Sequence, residues 1–174
     1  MIRDVIILNN GGVPLFYQNF GQCHSFGDDV ALISGFISAI QSFSEELVGT
    51  DLSLVQMGSK QIAFHKNEHN TYALICDVDD RKDEISTKAR KLCEVFENEY
   101  KKELASFDGN TDTFSGFGTI LVNMNITRKN CGGRPECEGC DNSSKSLPLR
   151  ELIRELTGKH SPWQRVKARF RRRG

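Results

Sequence analysis

The residues with the most specific chemistry are three cysteines. Cys131-Gly-Gly-Arg-Pro-Glu-Cys137-Glu-Gly-Cys140 reads C-x5-C-x2-C in a Gly- and Pro-containing loop. Thiolates in such a loop suit tetrahedral Zn²⁺, and the x2 spacing lets Cys137 and Cys140 grip one ion from a single turn. The expected metal ligands are therefore Cys131, Cys137 and Cys140. A closed structural site needs a fourth ligand, for which His160, Asp141 or a residue of another chain is at hand. Three other readings stay open: a thiol redox pair at Cys137/Cys140, an iron–sulfur site, and plain solvent-exposed thiols. The redox reading lacks a preceding strand-to-helix context. Cys23, Cys76 and Cys93 are scattered, and read as reduced thiols packing as small hydrophobes.

A second constellation closes the sequence. Trp163, Arg165, Lys167, Arg169, Phe170, Arg171, Arg172 and Arg173 interleave aromatic and basic side chains. Such a segment suits an anionic membrane, with the rings at the interface and the cations on lipid phosphates. Nucleic acid is the rival target through its phosphates, and a solvated end is the plain alternative. Residues 145–174 hold ten Lys or Arg against Glu151 and Glu155; of 23 of each sign, 13 basic and 21 acidic residues remain in 1–144. An acidic body carrying a basic tail counts against nucleic acid as the main partner of the whole chain. Between loop and tail, Pro148 to Leu156 places Leu149, Leu152, Ile153 and Leu156 on one face of a short amphipathic helix opened by proline.

No catalytic motif accompanies these groups. His65 and His69 flank an expected turn and Cys23-His24 falls in a loop, positions where surface histidines are ordinary. The length, 174 residues, fits one domain and a small appendage. Val30 to Ile40, the longest weakly polar stretch, is too short to cross a bilayer, and the first residues lack a signal-peptide pattern. The expected location is cytoplasmic, with peripheral membrane contact through the tail.

The scaffold reads clearly. Apolar runs on either side of Asn9-Asn10-Gly11-Gly12 predict a β-hairpin over residues 4–20. A helix follows from Asp28 to Leu47, capped by Asp28 or Asp29 and stopped at Gly49. Leu32, Ile33, Phe36, Ile37, Ile40, Phe43 and Leu47 give it one broad apolar face, with Phe36 expected in the core, and Ser34 and Gly35 allow a close approach to a sheet. Strands are predicted at Leu52 to Met57, Gln61 to Lys66 and Tyr72 to Val78, the last apolar on both faces and so central. A long helix is predicted over Lys82 to Phe107, and a third beginning after Asp112 with Phe114, Phe117, Leu121 and Met124 at spacings of 3, 4 and 3.

This order, β-β-α-β-β-β-α-α, resembles the longin domain family. The opening Met-Ile-Arg-Asp-Val-Ile-Ile-Leu-Asn, the hairpin arm Pro-Leu-Phe-Tyr, the strand Tyr-Ala-Leu-Ile-Cys-Asp-Val-Asp and Leu92-Cys93-Glu94-Val95-Phe96 look like clathrin-adaptor small subunits and longin-type trafficking proteins. The similar roadblock family usually starts with a helix. The resemblance covers about residues 1–126. It implies an α+β, profilin-like fold with a five-stranded antiparallel sheet flanked by helices. It also implies a non-enzymatic adaptor or regulator of membrane trafficking that binds small GTPases or other longin or roadblock proteins, as a homo- or heterodimer. A longin SNARE would continue into a heptad helix and a membrane span. Here a cysteine-containing loop (127–146) and a segment with the amphipathic helix and basic tail (147–174) follow instead. A nucleic-acid-associated zinc protein is the alternative, and a thiol enzyme ranks below it.

If the loop is a zinc site, protein purified under reducing, chelator-free conditions carries about one Zn²⁺ per chain or per shared site. Elemental analysis checks this, and Cys137→Ser is expected to remove the metal while the body stays folded.

Overall fold

Asn9 makes the first reversal. Its Oδ1 accepts from the backbone N–H groups of Gly11 and Val13, both at 2.9 Å. Gly12 takes the left-handed φ of +77° that the turn needs. In the computed structural model, which describes residues 2–20 and 29–127, this turn joins β1 (Ile2–Asn9) to β2 (Pro14–Asn19) as an antiparallel hairpin. Pro14 opens an edge strand, where its missing N–H is tolerated.

Helix α1 (Val30–Val48) begins after Asp29, whose carboxylate accepts from the Leu32 N–H at 2.9 Å. It stops at Gly49, whose φ of +73° closes the end as expected. Strands β3 (Leu54–Met57), β4 (Lys60–Lys66) and β5 (Asn70–Asp77) follow. The antiparallel sheet has the order β2-β1-β5-β4-β3, so the strand expected to be central is central, and every residue of β5 is buried. Helices α2 (Lys82–Glu99) and α3 (Lys101–Ala105), a 3-10 turn (Thr111–Phe114) and α4 (Phe117–Asn123) complete the α+β, longin-like arrangement that the sequence implies.

Period-2 alternation divides the apolar side chains between two cores. Val5, Ile7, Tyr72, Leu74 and Cys76 face α2, the 3-10 turn and α4. Ile6, Leu8, Ile62, Phe64, Ala73 and Ile75 face α1.

Four expectations need correction. The long helix over Lys82 to Phe107 breaks at Tyr100 (φ −110°). The Tyr100 ring packs against Phe96, Phe114 and Phe117, with centroids 5.1 to 5.9 Å apart, and this tertiary packing overrides helical continuation. The third helix is a 3-10 turn followed by a short α-helix, with Phe114, Phe117 and Leu121 buried and Met124 exposed. Gly35 faces open space. The close approach to α1 lies at Gly12, where a Cβ would meet Ser38 Oγ at 2.7 Å.

The apolar face of α1 is corrected most. Ile33 and Ile37 are buried, Phe36 and Ile40 are half-buried, and Leu32, Phe43 and Leu47 are exposed. Ile37→Ala should therefore lose about 2–5 kcal/mol of stability, whereas Phe43→Ala should change it by less than about 0.5 kcal/mol. Denaturant unfolding of both variants checks the assignment.

Candidate partner-binding face

Helix α1 is rotated by a polar contact. Gln41 is buried, and its side-chain amide pairs with the backbone of Leu52: Nε2 donates to the carbonyl at 3.2 Å, and Oε1 accepts from the N–H at 3.1 Å. Satisfying a buried carboxamide this way turns Ser34 and Gln41 inward with Ile33 and Ile37. The neighbouring arc, apolar as well, is turned to solvent. Leu32, Phe36, Ala39, Phe43 and Leu47 recur at spacings of 4, 3, 4 and 4 along this outer side, flanked by Glu46. Leu32, Phe43 and Leu47 are 70%, 65% and 78% exposed, which is unusual for side chains of this size in one stripe.

The sheet face under α1 is also incompletely covered. A helix with its side chains is about 10–12 Å across, whereas the outer strands of a five-stranded sheet lie about 19 Å apart. Alone on its face among the described residues, α1 leaves Leu52, Val55 and Met57 only partly buried. β3 itself pairs with β4 alone among the described residues, so its outer backbone edge is open. Lys66 holds the end of α1 in place through Glu45 and, at 3.2 Å, Asp51 of the following loop. Chemically, the face offers apolar contact area and backbone donors and acceptors. Those groups suit protein recognition.

Polar clusters fix both ends of β5. At its start, Glu97 Oε1 accepts from the Tyr72 phenol and from Nδ2 of Asn67 and Asn70, both at 2.8 Å. Burial would raise the Glu97 carboxyl, but hydrogen bonds from Tyr72, Asn67 and Asn70 outweigh it and hold the group below its ordinary value. Burial, followed by the bond to Glu97, pushes the Tyr72 phenol up. At the other end, Asp77 Oδ2 accepts from Arg3 Nη2 at 2.6 Å and Oδ1 from Lys60 Nζ at 3.0 Å. Burial opposes ionisation of Asp77, yet these two cations bring it down to about 2. Burial pushes the Cys76 thiol up to about 12 and raises that of Cys93, as inert core thiols require.

Cys131, Cys137, Cys140, Asp141, His160, Trp163, Arg165, Lys167, Arg169, Phe170, Arg171, Arg172 and Arg173 lie outside the described residues, as do Cys23, His24 and the helix expected over Pro148 to Leu156. Among the described residues, no group of three His, Cys, Asp or Glu side chains is placed to hold a metal ion. Among them, too, no helix is long and apolar enough to cross a membrane. Sequence reading missed the exposed stripe because it assigned the whole apolar arc of α1 to the core. The signal for it was the width of that arc, broader than one helix can bury on a sheet.

No family model matches the chain. One stretch is 33% identical over 69 residues to the FeMo cofactor biosynthesis protein NifB of Klebsiella pneumoniae, covering 33% of this chain. The chain spans only 15% of the length of that relative. Among solved structures, the gliding protein MglB from Thermus thermophilus superposes with a TM-score of 0.40 at 11% identity, over 51% of this chain and 74% of that one. A Roadblock/LC7 domain from Streptomyces avermitilis gives 0.43 at 14% identity, over 58% and 87%. MglB of Myxococcus xanthus gives 0.38 at 12%, over 56% and 85%.

The Asp77 cluster sets an acid limit. Because the folded carboxyl is more acidic than the unfolded one, its contribution is complete above about pH 4 and is lost as pH falls through about 2. Wild-type protein should lose on the order of 2 kcal/mol from this group across that window. Asp77→Asn should be less stable at neutral pH and flatter in acid, as measured by urea unfolding at several pH values.

Proposed function

We propose that the chain is a non-enzymatic, longin-like adaptor or regulator that binds protein partners through the outer side of α1 and the open edge of β3. The observation that carries this reading is the exposed stripe of Leu32, Phe43 and Leu47, on a sheet whose β3 edge is unpaired among the described residues. Burying each such side chain contributes about 1.5–3 kcal/mol, so a partner helix laid along the stripe gains several kcal/mol before any strand pairing. The partner classes implied by the sequence resemblance are a small GTPase and another longin or roadblock protein, including a second copy of this chain.

The remaining parts of the reading come from sequence alone. The basic tail, from Trp163 to Arg173, would hold the adaptor on anionic membrane, and Cys131, Cys137 and Cys140 would bind Zn²⁺ in the intervening loop.

Two experiments test this. In affinity capture with and without a nonhydrolysable GTP analogue, wild-type protein should retain a defined partner that Leu32→Ser/Phe43→Ser loses, with unchanged thermal stability. Equal capture by both would place the interface elsewhere. In co-sedimentation, the full chain should bind anionic but not neutral vesicles, less tightly as salt rises. Tighter binding to DNA or RNA at the same ionic strength would favour the nucleic-acid reading.

A further inference from the structure

On the sheet face opposite α1, a hollow of about 540 Å³ opens beside the start of β5, within the size range of small-molecule sites. Asn9, His69, Asn70, Glu97 and Lys101 supply its polar lining, and Leu15, Leu104 and Phe107 most of its apolar wall.

The polar groups of this hollow are only partly engaged. The three donors on Glu97 all converge on Oε1, which fixes the carboxylate, and no described residue donates to Oε2. Asn9 spends its Oδ1 on the hairpin turn, which orients the amide and leaves Nδ2 without a described acceptor. Lys101 forms no ion pair with a described residue, although Glu97 lies only four positions before it. The break at Tyr100 takes the two out of ordinary helical register.

We propose that this hollow binds a zwitterionic α-amino acid with an apolar side chain. The ammonium group donates to Glu97 Oε2, and the carboxylate accepts from Lys101 Nζ and Asn9 Nδ2. The side chain lies against Leu104 and Phe107. A purely cationic ligand would leave Lys101 facing a like charge, and a purely anionic one would face Glu97. A ligand carrying both charges meets both groups with charge-assisted bonds. Because Glu97 is already locked by Tyr72, Asn67 and Asn70, binding orders little of the protein. The site is independent of the partner-binding face, which lies across the sheet.

Calorimetric titration of the full chain with L-leucine, L-leucine methyl ester and N-acetyl-L-leucine tests the proposal. Saturable binding of leucine is expected, weakened at least about tenfold by either capped form. Lys101→Ala, an exposed change outside the Glu97 clamp, should weaken leucine about tenfold while leaving the circular dichroism melt unchanged. Glu97→Gln should also weaken it, but that variant loosens the clamp, so Lys101→Ala is the deciding one. Absence of saturable heat up to on the order of 10 mM leucine would overturn the proposal. So would equal binding of leucine and either capped form, or unchanged binding by Lys101→Ala.

Discussion

The structure depends on a strand that has no exposed residue. β5 is buried along its whole length between β1 and β4, so its register decides which side chains reach each core. Its ends are held by polar contacts that tolerate no slip. Glu97 gathers Tyr72, Asn70 and Asn67 at one end, tying the β4–β5 turn to α2. Asp77 gathers Arg3 and Lys60 at the other, tying β5 to both flanking strands. A one-residue shift would break both clusters and reverse the two hydrophobic faces. Breaking a buried ion pair of this kind costs about 3–5 kcal/mol.

With β5 fixed, the two faces of the sheet are unequally covered. α2, the 3-10 turn and α4 share one face, joined by the contacts of Phe96, Tyr100, Phe114 and Phe117. Among the described residues, α1 alone covers the other. Its orientation is set by Gln41 on the Leu52 backbone as much as by Ile33 and Ile37. The outward stripe is a consequence of that rotation: a helix apolar over more than half its circumference cannot bury all of it against one sheet. What remains exposed, together with the outer edge of β3 that is unpaired among the described residues, is the surface proposed for partners.

Much of this frame is legible in the sequence. Asn9-Asn10-Gly11-Gly12 names the hairpin, the doubly apolar Tyr-Ala-Leu-Ile-Cys names the central strand, and Asp29 and Gly49 name the ends of α1. The parts that escape depend on contacts between distant residues. Periodicity finds the apolar arc of α1 but cannot say which half faces inward, because a side-chain bond to Leu52 decides it. The break at Tyr100 follows from rings that arrive from the 3-10 turn and α4. The Glu97 cluster joins residues 67, 70, 72 and 97, none of which is distinctive in its own sequence context. The groups most conspicuous in sequence, Cys131, Cys137 and Cys140 with the tail from Trp163 to Arg173, lie outside the described residues.

The central claim is that the outer side of α1 is a protein-recognition surface. The most direct measurement places a photoreactive phenylalanine analogue at Phe43 and, as a control, at the exposed Lys91 on α2. After irradiation in native lysate, position 43 is expected to yield a discrete cross-linked protein, or a covalent dimer of this chain, that position 91 does not. No adduct at position 43, or the same adducts from both positions, would contradict the account.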